Sequence, residues 1–479
     1  MLFNSIDFAV FLPLVFLLYW WVGGRSIRRR NIILLLSSYI FYGWWDPRFL
    51  LLIAFSTVVD FAVGLAMEGT LVQRHRKYLL WTSLVVNIGL LGYFKYANFL
   101  LDSFVGAFTF FGGEFHADRL DIILPVGISF YTFQTLSYSI DVYHRRMRPI
   151  SDPIAFAAYV SFFPQLVAGP IERAINLLPQ FQELRKFDTA RAVDGSRQML
   201  WGFFKKLVIA DNCAEEVERI FGAHMEMSGA TLLLGTVFFS MQAYGDFSGY
   251  SDIAIGCARL FGFNLQRNFA YPFFARDIAE FWRRWHISLT TWFRDYVYIP
   301  MGGSRGTKAM QVRNISVVFL ISGLWHGAAW HFVIYGALNA LYFIPGVLRG
   351  TRSKRSPIVA QGRLRPSLVE VVQMGRTFLL ASLTFTVLRA EEMRHATEYL
   401  IGIFDTSLFQ WPDYHHAELP WLITACMALE WVRREDEHTL QRLGNALPRI
   451  WRWSIFALIA CTIGFFMNTN GTPFFYFQF

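Results

Sequence analysis

Long apolar runs alternate along this chain with short segments rich in arginine and lysine. Near the amino terminus the apolar runs cover residues 1–24, 31–45, 49–67, 79–94 and 122–143. A helix of about 20 apolar residues is long enough to cross the hydrocarbon core of a bilayer. The pattern therefore predicts a succession of transmembrane helices in the first part of the chain.

Basic clusters predict how these helices are oriented. Clusters at residues 25–30, 74–77 and 144–148 follow the first, third and fifth apolar runs. Short loops with an excess of Lys and Arg lie on the cytoplasmic side of a membrane. All three clusters then share one side, which places the amino terminus outside. No basic segment precedes the first run, so it is interpreted as a span and not as a cleaved signal peptide.

The rest of the chain is less regular. SFFPQLVAGP at residues 161–170 is apolar but short and contains two prolines and a glycine, which favours a re-entrant loop over a full crossing. In total we predict an all-α polytopic membrane protein with about ten to twelve transmembrane helices, accompanied by re-entrant and amphipathic helices. The later apolar segments, interrupted by glycines and isolated charges or separated by basic loops, lie at residues 201–210, 231–262, 378–388, 419–431 and 455–467.

Composition agrees with the membrane class. Of the 479 residues 54% are hydrophobic and only 16% are charged, whereas soluble domains carry about 25% charged residues. The net charge of +9 comes from basic residues between apolar runs, which indicates cytoplasmic loops beside anionic membrane lipid and not nucleic-acid binding. Cys213, Cys257, Cys426 and Cys461 are scattered, so neither a disulfide framework nor a zinc site is predicted.

Residues 263–306 form a charged insert in which charges are set among tryptophans and phenylalanines. Asp277 is expected to start a helix, within which Glu280 meets Arg283 or Arg284 at the i+3 or i+4 position. Such a helix is too charged to cross lipid alone. It therefore lies either at the cytoplasmic surface or within the protein beside a hydrophilic cavity.

Three histidines lie in or beside apolar segments. His286 closes the helix of the charged insert, where a position in an interfacial aromatic belt is the alternative to a functional role. SGLWHGAAWHFVIYG, which contains His326 and His331, carries no charged residue. In a helix that begins near Arg313, His326 lies about 20 Å along the axis, near the middle of the bilayer. A functional site and a hydrogen bond between helices both explain it. His331 faces another side of a regular helix, so a metal site is not predicted.

WRRWHISLTTWFRDYVYIPMGGSRG, followed by SGLWHGAAWHFVIYGALNALYF, resembles the signature of the membrane-bound O-acyltransferase (MBOAT) family, in its bacterial, glycan-modifying branch. Further similarity lies in MLFNS at the start, LPVGISFYTFQTLSYSIDVYHR, FFPQLVAGPI, QAYGDFSGYSDIAIG, and PFFYFQF at the end. The resemblance thus covers most of the chain. It implies the MBOAT fold, a single domain of helices around a central funnel, with amino-terminal spans at 1–150, a catalytic core at 151–350 and carboxyl-terminal spans at 351–479.

The same resemblance implies the site residues. His326 corresponds to the essential catalytic histidine of the family, and His286 to a second active-site residue. A histidine is well suited to accept a proton near neutral pH, so we expect His326 to act as the general base. Tyr476 in the terminal FFYFQF is a candidate acyl carrier, with aromatic anchoring or partner docking as the alternatives. Candidates to line the funnel are Trp325, Trp285, Asp295 and Arg294.

The implied function is acetyl transfer without a bound cofactor, from acetyl-CoA in the cytoplasm across the bacterial inner membrane. An extracytoplasmic esterase-like partner of the SGNH type is then expected to place the acetyl group on an alginate-like exopolysaccharide, cellulose or peptidoglycan. Two other functions stay open. One is a transporter or flippase whose histidines relay protons, and the other is a family member that acylates a lipid or a protein.

Overall fold

The computed structural model describes residues 1–467 except residues 114, 116, 168, 351–357 and 444–447. These described residues form helices and connecting segments, and no strand occurs among them. The all-α prediction is therefore confirmed. By their contacts the residues form two compact units, one with Met1–Ala192 and Cys257–Leu265, the other with Val193–Gly256 and Gln266–Phe479.

The first unit contains the apolar helices predicted from the amino-terminal part of the chain. Their observed bounds are α1 (Ile6–Leu17), α2 (Ile27–Gly43), α3 (Phe49–Glu68), α4 (Gln73–Leu91), α5 (Ala97–Phe110), α6 (Ile128–Tyr143), α7 (Pro153–Val160), α8 (Phe163–Leu166) and α9 (Ala174–Leu177). Among its described residues, the predicted re-entrant segment contains one helix, α8, of four residues. A helix this short does not cross a bilayer, as the prolines and glycine of the segment indicate.

The remaining helices lie wholly or mainly in the second unit. They are α10 (Thr189–Phe203), α11 (Asp211–Gly222), α12 (Gly229–Leu260), α13 (Ile278–Arg284), α14 (Ile287–Phe293), α15 (Lys308–His326), α16 (Trp330–Arg349), α17 (Leu368–Arg389), α18 (Met393–Ile403), α19 (Leu419–Val432) and α20 (Arg449–Phe466). Within the described residues, π-helical turns extend α1, α4, α10 and α14, at Leu18–Val22, Gly92–Tyr96, Phe204–Ala210 and Arg294–Tyr298.

A buried polar cluster around Asp60 joins α3, α4 and α6 in the first unit. The carboxylate of Asp60 accepts hydrogen bonds from the Ser83 hydroxyl at 2.5 Å, the Asn87 amide at 2.9 Å and the Ser139 hydroxyl at 3.1 Å. Helices that meet in lipid gain no hydrophobic energy from their contact, so hydrogen bonds between them hold their relative positions.

Five of the described helices are long and apolar enough to cross a membrane. They are Phe49–Glu68, Gln73–Phe110, Trp330–Arg349, Leu368–Arg389 and Arg449–Phe466, and shorter apolar helices occupy Ile6–Val22, Pro153–Leu166 and Leu419–Val432. The total of ten to twelve crossings and the central funnel stay predictions, as does the division of the chain at residues 150 and 350.

Helix α12 is one continuous helix of 32 residues, although its glycines and charges suggested a broken segment. Two of these glycines allow another backbone to come close. A β-carbon on Gly249 would lie 2.7 Å from the carbonyl oxygen of Gly202, and one on Gly245 would lie 2.9 Å from that of Lys205. Because only a residue without a side chain fits such a contact, these glycines allow close packing and do not end the helix.

Candidate functional site

The charged insert folds as its local pattern predicts. The carboxylate of Asp277 accepts a hydrogen bond from the backbone N–H of Glu280 at 2.8 Å and so begins α13. Glu280 pairs with Arg284 at 2.5 Å, the predicted i+4 partner, and with Arg276 at 2.9 Å, while Arg283 is exposed. Glu280, Arg276 and Arg284 are all buried. Helix α13 therefore lies within the protein and not at its surface.

His286 lies between α13 and α14 in an unusual backbone conformation. Its φ and ψ angles of 44° and 54° are in the left-handed region, where the β-carbon of a residue other than glycine approaches the following carbonyl group. The side chain is buried, with 1% exposed. Its ring packs 4.6 Å from the ring of Phe247 on α12, measured between centroids. The two short helices and α12 thus enclose this imidazole.

His326 is the last residue of α15 and is also buried, with 3% exposed. Its ring centroid lies 5.5 Å from that of Tyr335 on α16. The indole of Trp325 packs against both histidines, with its centroid 5.1 Å from that of His326 and 5.6 Å from that of His286. The structure therefore brings together two histidines that are separated by 40 positions in the sequence (326 − 286).

The electrostatics of this pair favour neutral imidazole. Burial, and then the charge interaction with His326, lower the pKa of His286 well below its ordinary value of 6.5. Burial opposes the charged form of an ionisable group, and a second positive charge nearby opposes it further. His286 is therefore neutral near pH 7, and a neutral imidazole both donates and accepts a hydrogen bond.

The helix that carries His326 differs from the predicted one. We expected it to begin near Arg313; instead it begins at Lys308 and ends at His326. The position of His326 near the middle of the bilayer stays a prediction. The backbone then becomes extended at Gly327 and Ala329 before α16 starts. His326 consequently occupies the turn between α15 and α16, because the backbone leaves the helical region directly after it.

Helices α15 and α16 touch through glycines. A β-carbon on Gly336 of α16 would overlap the carbonyl oxygen of Phe319 and lie 3.3 Å from the α-carbon of Leu320, both on α15. A β-carbon on Gly323 of α15 would overlap the carbonyl oxygen of Phe332 on α16. The absence of side chains at Gly323 and Gly336 thus sets the distance between the two helices and the position of the turn that carries His326.

A small, partly open cavity lies in the second unit. Its wall includes the ion pair between Lys205 and Asp252, at 2.7 Å, and the hydroxyl of Tyr244, which donates to Glu430 at 2.8 Å. The ring of His438 also lines it. Hydrogen-bond donors and acceptors of both charges therefore face the same space, as in sites that bind polar ligands.

This polar cavity shares part of its wall with the surroundings of His286. Phe269 lines the cavity, and its ring packs 5.0 Å from Phe247, the ring that contacts His286. Asn268 lines the cavity as well, and its carbonyl oxygen accepts a hydrogen bond from the backbone N–H of Ile287, the residue after His286. The rings of Phe269 and Phe247 thus connect the wall of the cavity to His286.

The other predicted residues have varied surroundings. Trp285 is buried among aromatic rings, with Phe385 at 4.9 Å. Arg294 and Asp295 form an ion pair with each other at 2.6 Å, and the Arg294 side chain is 56% exposed. Tyr476 lies outside the described residues. Among the residues that are described, no group of three or more His, Cys, Asp or Glu is arranged to hold a metal ion.

Sequence reasoning missed three residues of this site, namely Phe247, Tyr335 and Asn268. Phe247 and Tyr335 lie within the two quoted motifs GDFSGYSD and SGLWHGAAWHFVIYG, but a motif does not tell which of its aromatic residues faces a histidine. Asn268 lies in QRNFAYP, a segment with no regular pattern. Its role becomes visible only from the hydrogen bonds that it makes.

Comparison with known proteins identifies relatives over most of the chain. A sequence model of the MBOAT, membrane-bound O-acyltransferase, family matches residues 37–388, which include both histidines. The chain is 38% identical over 396 residues to the probable alginate O-acetylase of Azotobacter vinelandii, covering 82% of this chain and 76% of the relative. It is also 38% identical to the Pseudomonas aeruginosa protein of that name, covering 82% of this chain and 73% of the relative. The peptidoglycan O-acetyltransferase of Helicobacter pylori is 33% identical over 389 residues, which cover 76% of this chain and 71% of the relative.

Proposed function

The chain belongs to the membrane-bound O-acyltransferase family, and from this we propose that it passes acetyl groups from cytoplasmic acetyl-CoA across the bacterial inner membrane to a glycan. It is a multi-pass membrane O-acyltransferase. The relatives are named for the acetylation of alginate and of peptidoglycan, which supports an exopolysaccharide or a cell-wall glycan as the acceptor.

One observation carries the proposed chemistry: two buried imidazoles both pack against the Trp325 ring. Acyl transfer from a thioester to a hydroxyl needs a group that accepts the hydroxyl proton as the new bond forms. His326 ends α15, and the carboxyl end of a helix carries a partial negative charge. This charge stabilises the imidazolium that His326 becomes when it accepts the proton.

In the proposed reaction the acceptor oxygen attacks the thioester carbonyl carbon while His326 takes the proton of the hydroxyl. The carbon–sulfur bond then breaks and the carbon–oxygen ester bond remains. The sulfur of coenzyme A leaves with the proton that His326 held, so protons and electron pairs balance. His286, kept neutral by its lowered pKa, donates a hydrogen bond to the carbonyl oxygen and stabilises the negative charge that develops there.

We propose that the polar arm of the donor contacts the residues of this polar cavity, which must widen to admit it because the cavity is small in the structure. An acyl-CoA molecule carries amides and hydroxyls next to its thioester, and these groups need both donors and acceptors. The pairs Lys205–Asp252 and Tyr244–Glu430 offer both kinds. Because the rings of Phe269 and Phe247 connect the wall of the cavity to His286, we expect these rings to rotate when the thioester reaches the histidines.

The orientation and the partner are part of the same proposal. The basic clusters at residues 25–30, 74–77 and 144–148 favour an amino terminus outside the cytoplasm. The acetyl group then leaves toward the outer surface, where an esterase-like partner places it on the glycan. Tyr476 is proposed as a transient carrier. Undiminished glycan acetylation by Tyr476→Phe would exclude this step.

The decisive experiment follows radiolabelled acetyl groups from acetyl-CoA into glycan with membranes that contain the protein. We expect His326→Ala to reduce the rate by about 10²–10⁴-fold, because it removes a general base, while the amount of folded protein is unchanged. His331→Ala is the matched control, since His331 is a buried histidine at the start of the neighbouring helix. Full acetylation by His326→Ala would remove this residue from the mechanism.

The same assay tests the transporter alternative. A transporter or flippase moves its substrate without consuming acetyl-CoA, and its histidines then serve as a proton relay. If the wild-type protein releases no coenzyme A and transfers no label, the acetyltransferase proposal fails. Label found in a lipid or a protein instead of a glycan keeps the enzyme and changes its acceptor.

A further inference from the structure

The backbone at His286 is held in a conformation that is costly for this residue. A left-handed conformation costs a residue with a β-carbon roughly 1–2 kcal/mol, and His286 has a φ of 44°. Such a conformation persists only where the surrounding structure enforces it, commonly at functional sites. His286 also occupies the N-cap position of α14, but its side chain does not cap that helix.

Asn268 supplies the cap in its place. Its backbone carbonyl oxygen accepts a hydrogen bond from the N–H of Ile287 at 2.9 Å. Its side-chain oxygen accepts hydrogen bonds from the N–H of Ser288 at 3.4 Å and from the Ser288 hydroxyl at 2.9 Å. Its side-chain nitrogen donates to the hydroxyl of Ser251 on α12 at 3.2 Å. One buried residue from another part of the chain thus satisfies the first turn of α14.

We propose that Asn268 is a positioning residue for His286, which caps α14 from outside the helix and holds the histidine in its left-handed conformation facing Phe247. The two residues after His286 are bonded to Asn268, and Asn268 is anchored to α12 through Ser251. The imidazole therefore has a fixed position relative to α12. This inference rests on the proposed function in so far as it assumes that His286 takes part in acetyl transfer.

Asn268 also lines the polar cavity, so direct contact with the donor is the competing explanation. The two roles predict different kinetics. A residue that only contacts the donor changes KM, because it contributes equally to ground-state and transition-state binding. A residue that holds His286 in position changes kcat, because a displacement of about 1 Å at the reacting centre costs on the order of 10²-fold in rate.

The test compares Asn268→Ala with Asn268→Asp in the acetyl-transfer assay. We expect Asn268→Ala to lower kcat on the order of 10²-fold with the KM for acetyl-CoA unchanged. Asn268→Asp keeps an acceptor for Ser288 and caps helices as well as asparagine does, so it should retain most of kcat. Its carboxylate should raise the pKa of His286, which moves the acidic limb of the pH–rate profile to higher pH. A purely structural role would not move that limb.

Asn212→Ala is the matched control, because the side chain of Asn212 donates to the carbonyl oxygens of Leu207, Val208 and Phe466, none of which lies in the helices that carry or flank the two histidines. If kcat is unchanged in Asn268→Ala, or if only KM rises, the inference about Asn268 is wrong. The proposed function still stands in that case, provided that the wild-type protein transfers acetyl groups. If Asn268→Ala does not fold, Ser288→Ala, which removes one hydroxyl donor, must still lower kcat for the inference to stand. A wild-type protein that transfers no acetyl group overturns the proposed function instead.

Discussion

The glycine contact between α15 and α16 provides a sharp test of how closely His326 must be positioned. In Gly336→Ala, the new β-carbon would overlap the carbonyl oxygen of Phe319 and lie 3.0 Å from its carbonyl carbon. Carbon atoms in favourable contact are about 3.5–4.0 Å apart. Because the obstructing atoms are backbone atoms, no side-chain rotation relieves the overlap, and the helices must separate by about 0.5–1 Å at this point.

Phe319 lies seven residues before His326 on the same helix (326 − 319), so the shift of α15 is transmitted to the imidazole. A displacement of about 1 Å at a reacting group costs on the order of 10²-fold in rate. We therefore expect kcat/KM for acetyl transfer to fall about 10–100-fold in Gly336→Ala. Overpacking of this kind also destabilises a protein, by about 1–3 kcal/mol, which thermal denaturation of the purified protein in detergent measures separately.

Gly346→Ala on the same helix is the control, because nothing lies within 4 Å of a β-carbon at that position. Alanine forms helices better than glycine by about 1 kcal/mol, so this variant should keep full activity and equal or greater thermal stability. A wild-type rate in Gly336→Ala would refute the reasoning, and so would an equal loss of rate in both variants.

Two further predictions concern stability. His286→Gly should unfold at a higher temperature than His286→Ala, because glycine adopts the left-handed backbone at about 1–2 kcal/mol lower cost. An equal or lower thermal unfolding midpoint for the glycine variant would show that the backbone at residue 286 is not strained. Glu216 accepts hydrogen bonds from the backbone N–H groups of His415 and His416 and pairs with Arg219. Burial alone raises the pKa of Glu216, and these bonds outweigh it and lower the pKa below 4.5. The stabilisation is therefore complete above the pKa of the unfolded chain and is lost as the pH falls through the lower folded pKa. Limited proteolysis of residues 404–418 should accelerate over that pH range in the wild-type protein and not in Glu216→Gln.

Features that depend on neighbouring residues could be predicted from the sequence. Asp277 begins α13, and Glu280 pairs with Arg284, because both interactions join residues within one helical turn. The bounds of α2 and α3 agree with the apolar runs at residues 31–45 and 49–67 to within a few residues. The length of α12 was not predicted. A glycine that interrupts a helix and a glycine that lets a neighbouring backbone come close cannot be told apart in the sequence.

The identity of the two histidines was likewise available from their motifs, but their arrangement was not. A regular helix through SGLWHGAAWHFVIYG would have continued beyond His326, whereas the observed backbone leaves the helix at Gly327 and returns as α16. Only then does Tyr335 approach the His326 ring. Local propensity did not indicate this turn, because glycines occur both inside helices that pack closely and at their ends.

By itself the sequence determined the helical class and the apolar runs long enough to span a membrane, because composition and short-range spacing encode these properties, and its motifs singled out His286 and His326 as candidates. Only the tertiary structure decided that both imidazoles pack against Trp325, that Asn268 caps the helix after His286, and that a polar cavity lies nearby. Each of these features joins groups from distant parts of the chain. Their relative positions depend on how closely helices pack, and that distance is a property of the assembled fold and not of any single segment.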